Sequence, residues 1–192
     1  MKLLIVKAVS LSLLGIAVLL VGCSSRGGTD MPDIIESYEQ AMRDFPGSES
    51  AIDLGLERFK AAYANLTDPR LVDKIRETYA ESLFFNDTLH TLHSLEDLAE
   101  YMGRTGAGLQ ESAVEVHHVI RDGVDVYVRW TMEFKTRAVG RDIHSHSIGI
   151  SHLRFDDDGR VVLHQDFWDS GHALYAHLPF VGFAVRRARR AL

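Results

Sequence analysis

The 192-residue chain has a single cysteine and only four prolines. One thiol allows no disulfide framework and no cysteine-rich zinc site within the chain, so the fold must rest on its own packing. Positive charge is in deficit: 21 Lys and Arg stand against 27 Asp and Glu, a formal net charge of −6. That balance gives no electrostatic support to nucleic-acid binding. Internal repeats and low-complexity blocks are missing too, which sets aside solenoids and arrays. What is present is an ordinary globular balance, 46% hydrophobic and 25% charged, enough for one packed domain with a short appendage.

The one long apolar run lies at the N-terminus. Lys2 and Lys7 precede and open a stretch, Ala8 to Val21, broken only by Ser10, Ser12 and Gly15. It is too short and weakly flanked for a membrane-spanning helix and has the make-up of a signal peptide. It ends in Leu20-Val21-Gly22-Cys23, which resembles the lipobox of bacterial lipoproteins. The resemblance implies cleavage before Cys23 and acylation of its thiol, hence a membrane partner. Ser24 stands where such proteins carry aspartate for inner-membrane retention, so the implied address is the cell envelope, at the periplasmic face of the outer membrane.

Beyond the leader, Ile34/Ile35, Tyr38 and Met42 carry helical spacing up to Pro46. Ile52, Leu56, Phe59, Tyr63 and Leu66 step along one face of a stronger helix. Asp68-Pro69 reads as a helix start continued by Val72, Ile75 and Tyr79, and Ser94-Leu95-Glu96-Asp97 as the capping box of another helix. After Gly108 the period changes to two. Val114 to Ile120 alternate, Asp122-Gly123 is a hairpin turn, and Val124 to Phe134 form the cleanest strand. Strands over about 142–155 and 160–168 follow, joined by a turn at Asp157-Asp158-Gly159, and a helix closes the chain. Helices first and a meander last predict an α+β domain with helices on one face of a curved antiparallel sheet.

This order resembles the nuclear transport factor 2-like superfamily and its SnoaL-like domains. The residues that carry the likeness are Phe59-Lys60-Ala61-Ala62-Tyr63, Leu83-Phe84-Phe85-Asn86-Asp87, the Asp122-Gly123 hairpin, and Phe155 to Val161 leading to Gln165-Asp166-Phe167-Trp168-Asp169. The resemblance implies a cone whose concave face is covered by the N-terminal helices and whose interior is a mostly apolar pocket without metal or cofactor. The expected organisation is a signal peptide at 1–22, a lipid-anchored tether and short helix at 23–47, a SnoaL-like domain at 48–178, and a basic amphipathic helix at 179–192.

Strand parity puts His164, Asp166 and Trp168 on one face of the last strand. Asp-Phe-Trp-Asp resembles a stretch of the limonene epoxide hydrolases whose first aspartate faces the pocket. Asp166 is therefore the expected acid or base, assisted by His164, because a carboxylate desolvated in an apolar cavity suits that work. The expected pocket wall is Phe84, Asn86, Val126, Val128, Trp130, Met132 and Trp168. The hydrolases' water-activating tyrosine would fall at Phe84, and their Arg-x-Asp pair at Trp130 and Met132, so that triad is absent. The leading reading is a binding protein for a hydrophobic small molecule. An isomerase, cyclase or hydratase using Asp166 stands beside it, as does a scaffold forming homodimers through an exposed sheet face. His144 and His146 share a strand face and, with His164 and Asp166, have the donor types for a metal, against which stands the family's metal-free habit. Ser145, Ser147 and Ser151 lack a nucleophile's glycine-flanked elbow. On the last helix Arg186, Arg187, Arg189 and Arg190 fall on one side. They suit either anionic headgroups or plain solvent.

Overall fold

A computed structural model describes residues 33–138, 140–178 and 181–191; the leader and Cys23 lie outside them. From Ile34 onward the chain forms one unit. Its helices are α1 (Ile34–Asp44), α2 (Ile52–Tyr63), α3 (Leu71–Thr78), α4 (Leu95–Ala107), α5 (Ser170–Ala173) and α6 (Val181–Ala191). Its strands are β1 (Tyr79–Asn86), β2 (Thr91–Ser94), β3 (Leu109–Asp122), β4 (Asp125–Ala138), β5 (Arg141–Phe155) and β6 (Val161–Trp168). The six strands make a single sheet in the order β2-β1-β6-β5-β4-β3.

Period-two patterning sets the β3–β6 meander, and its turns are made by glycines with left-handed backbone, Gly123 at φ 59° and Gly159 at φ 72°. The sheet is mixed, however, and not antiparallel throughout. β1 runs parallel to β6, with Phe85 opposite His164, because the meander brings its last strand back beside the first.

Helices α2, α3 and α4 bury Leu56, Phe59, Ile75, Leu98 and Met102 against Leu83, Phe85, Val126, Val128, Leu153 and Phe155 of the sheet. Ser94 caps α4, its hydroxyl accepting from the Asp97 amide. α1 departs from expectation. It covers the opposite face, where Tyr38, Ala41, Met42 and Phe45 pack on Phe84 and Leu163. The concave face is thus covered by α2–α4, with α1 on the far side, and β6 is buried on both sides. α3 also starts later than the Asp-Pro signal suggested. Asp68 accepts from the Arg70 amide in a turn, and Tyr79 is already the first residue of β1, turned into the core by the bend out of α3.

At the C-terminus α6 follows two elements that the sequence did not announce, α5 and a 3₁₀ turn at Tyr175–His177. It touches the domain on one narrow side. Gly182 is buried against the Ala176 carbonyl, and Arg189 reaches Asp169 at 2.8 Å. Its four arginines are all exposed.

Candidate functional site

Register alone builds the concave wall. Trp130, Gly149 and Trp168 face one another across β4, β5 and β6; so do Val128, Ser151 and Asp166, and then Val126, Leu153 and His164. Small residues on the middle strand let large neighbours lie across it. A side chain at Gly149 would have its Cβ 2.3 Å from the Trp130 indole. α2 and α4 stand off from this wall and leave a cavity of about 410 Å³. Its lining includes Phe59, Tyr63, Phe85, Tyr101, Val114, Val116, Trp130, Met132 and Trp168, with Leu174 after α5.

His164 and Asp166 lie side by side in that lining. His164 is 1% exposed and ringed by Phe59, Tyr63, Tyr79 and Phe85 at centroid distances of 5.0–6.1 Å. Its Nδ1 lies 2.6 Å from the Tyr79 hydroxyl, and Tyr79 lies 2.6 Å from the Tyr63 hydroxyl. Its Nε2 is 2.8 Å from Asp166 Oδ1. With a neutral imidazole facing a carboxylate, the donors line up: Tyr63 to Tyr79, Tyr79 to Nδ1, Nε2–H to Asp166. A second chain meets the same oxygen. Trp130 Nε1 donates to Ser151 at 2.9 Å, and Ser151 donates to Asp166 Oδ1 at 2.5 Å. Oδ2 has no hydrogen bond among the described residues, and Asp166 is part of the cavity lining. Burial, above all, drives the pKa of the Tyr63 and Tyr79 phenols well up, so both remain O–H donors.

A second carboxylate borders the cavity. Asp87 Oδ1 accepts from the amides of Leu89 and His90 at 2.9 and 2.8 Å, and Oδ2 accepts from the Tyr101 hydroxyl. Trp168 is fixed by its Nε1–H to the Asp87 carbonyl, 2.8 Å away. Arg104 stands at the rim, two-thirds exposed and paired with Glu100.

Trp130, Met132, Trp168, His164 and Asp166 thus line the cavity as the sequence suggested. Phe84 and Asn86 do not. They take the opposite parity to Phe85; Phe84 lies under α1, and Asn86 bonds Thr91 and Gln165. Val126 and Val128 face the concave side but are packed shut at 0% exposure. His164 bonds Asp166, and Asn86 does not reach it. Ser151 serves as a bridge. The outer face carries His144, paired with Glu133, and the exposed His146, while His164 faces the core. No cluster of three potential metal ligands occurs among the described residues. Sequence reasoning missed Tyr79 and Asp87. Tyr79 fits the α3 stripe as a continuing helix, and Tyr79–Asn86 holds no β-branched residue that would mark the change to a strand.

The same constellation occurs on the other sheet face. Tyr38 lies 2.6 Å from His152 Nδ1, and His152 Nε2 lies 2.7 Å from Asp125 Oδ1. There the carboxylate is also clamped by Arg154, at 2.5 Å from Nε and 3.3 Å from Nη2. Among the described residues no arginine or lysine clamps the concave relay in this way.

A family model described as a SnoaL-like domain matches residues 57–164. No curated protein matches the chain. Among solved structures, a SnoaL-like polyketide cyclase from Shewanella denitrificans OS-217, so described provisionally, is 16% identical, with TM-score 0.54 over 62% of this chain and 93% of that one. An epoxide hydrolase of the limonene type from M. tuberculosis is 17% identical, with TM-score 0.53 over 75% and 95%. An NTF2-like protein of unknown function from Exiguobacterium sp. 255-15 is 17% identical, with TM-score 0.51 over 60% and 98%. At these identities the likeness establishes the NTF2-like fold and leaves activity to the site itself.

Proposed function

We propose, since the chain belongs to the SnoaL-like domain family, that it takes one hydrophobic small molecule into its cavity. The carrying observation is a cavity of about 410 Å³ walled by aromatic and aliphatic side chains, with the Asp166 carboxylate in its lining. Neutral N-phenyl-1-naphthylamine should bind once per chain and quench Trp130 and Trp168. Val116→Trp, which places a ring in the same space, should compete with it. Equal binding by parent and variant would overturn the reading.

A second reading rests on the two donor chains that converge on Asp166 Oδ1. They position Oδ2 to take a proton from a bound ligand, which suits an isomerase, cyclase or hydratase. Exchange of the α-hydrogens of bound 2-tetralone into deuterated water, lost in Asp166→Asn, would support that chemistry. Exchange unaffected by the substitution would remove it.

The leader motif supports placing this domain at the periplasmic face of the outer membrane, tethered by acylated Cys23. The arginines of α6 suit anionic headgroups, and exposed Ile148, Ile150 and Phe167 suit a homodimer. Cys23→Ser should release the protein from membranes or leave it uncleaved. A serine variant that is processed and still fractionates with lipid would sink the anchor.

A further inference from the structure

We propose that the molecule this cavity selects carries a cationic nitrogen, which pairs with Asp166 Oδ2 against the aromatic wall. The inference rests on the ligand-binding reading above and narrows it to a chemical class. Its starting point is the pair of Tyr–His–Asp relays. On the outer face the relay ends on Asp125, whose charge is answered by the Arg154 guanidinium. On the concave face it ends on Asp166, whose side chain is 14% exposed; its one ion-pair partner among the described residues is the His164 ring, and no lysine or arginine pairs with it. Arg104 is engaged at the rim by Glu100, and His164 has both ring nitrogens committed.

Any ligand that fills the cavity strips water from Oδ2. A neutral hydrocarbon would leave that oxygen desolvated and unpaired, which costs free energy. An anion would meet two carboxylates, Asp166 and Asp87, in a setting of low dielectric. A protonated amine restores a charge-assisted hydrogen bond and supplies the counter-charge that Arg154 supplies to the twin site. The walls suit such a guest. Tyr63, Phe85, Tyr101, Trp130 and Trp168 offer ring surfaces to a cation lying between them. The negative field is already felt there: burial raises the Tyr63 and Tyr101 phenols most, and the charges of Asp166 and Asp87 push both further up.

The test compares three guests of one shape by calorimetry on the full chain at neutral pH: 1-naphthylmethylamine, 1-naphthylmethanol and 1-naphthoic acid. The amine should bind at least roughly tenfold more tightly than the alcohol, and the acid weakest. In Asp166→Asn the amine-to-alcohol ratio should collapse towards one. Asp87→Asn, which keeps an acceptor for the Leu89 and His90 amides, should reduce the ratio less, and it gives an independent reading if the first variant folds poorly. Alcohol binding as tight as amine binding, or an unchanged ratio in both variants, would overturn the cation assignment while leaving the ligand-binding reading standing. Failure of all three guests to bind would overturn both.

Discussion

Trp130→Ala should lower the free energy of unfolding by about 3 kcal/mol, the low end for a buried tryptophan because one side of the indole already faces open space. Trp130 is 7% exposed and its indole lies close over Gly149, which has no side chain to fill the void its removal opens. It also takes away the donor to Ser151 and loosens one of the two chains that hold Asp166. Trp130→Phe, which keeps most of the packing and loses the N–H, should cost nearer to 1 kcal/mol. Urea unfolding followed by circular dichroism decides: a midpoint shift worth less than about 1 kcal/mol for the alanine variant would mean that the indole is not part of the core.

Asp125→Ala should cost about 2–4 kcal/mol, somewhat below the range for a fully buried pair because a quarter of the Asp125 side chain is wet. Asp125 accepts from both His152 and Arg154, and the Arg154 side chain is 11% exposed. Arg154 Nη1 also donates to the carbonyls of Met42 and Phe45, at 2.7 and 3.1 Å. The alanine variant therefore leaves a guanidinium without its counter-charge at the point where α1 is fastened to the sheet. Amide exchange should quicken in α1 before it does in β4 and β5. The site also sets a pH dependence. Burial holds the His152 pKa below the usual histidine value, against the pull of Asp125. The folded state thus favours the neutral ring, and this contribution is complete above the unfolded value of ~6.5 and lost as pH falls through the folded one. Asp125 itself is held low on balance. Burial raises it, but the hydrogen bonds from Arg154 and His152 outweigh that. Its contribution is likewise lost on acidification, at lower pH. Thermal midpoints should fall as pH drops below the ordinary histidine range, and His152→Gln should flatten that first limb. A midpoint constant from neutral to mildly acid pH would contradict the assignment.

How far the sequence carried the reading depends on what each signal constrains. Period-two alternation constrains which way a side chain faces, so the sequence alone assigns Trp130, Met132, Asp166 and Trp168 to the concave side. It says nothing of which neighbour closes the sheet, and the parallel pairing of β1 with β6 was therefore invisible. The reach of helix α1 was hidden for a related reason. Its stripe of Tyr38, Ala41 and Met42 announces a buried face but not whose. Phe84 and Phe85 are adjacent aromatics in a strand buried on both sides, where alternation gives no contrast. Choosing between them amounts to choosing a register. The relay was legible by halves. His164 and Asp166 are two apart on one strand, whereas Tyr79 joins them from 85 residues away.

That separation bears on how the molecule comes to be. Ser151 and Asp166 are joined by a short hairpin, 15 residues from one to the other, and β3 to β6 follow one another as nearest neighbours. Contacts of this kind close quickly, because little chain entropy is lost in making them. β1 instead finds its partner β6 only across the whole meander and α4, the slow kind of contact in a chain searching for its shape. Tyr79 and Phe85 arrive with β1, and with them the ring of aromatics around His164. The long-range pairing that completes the sheet thus also completes the chamber, so the cavity and the finished sheet depend on one and the same contact.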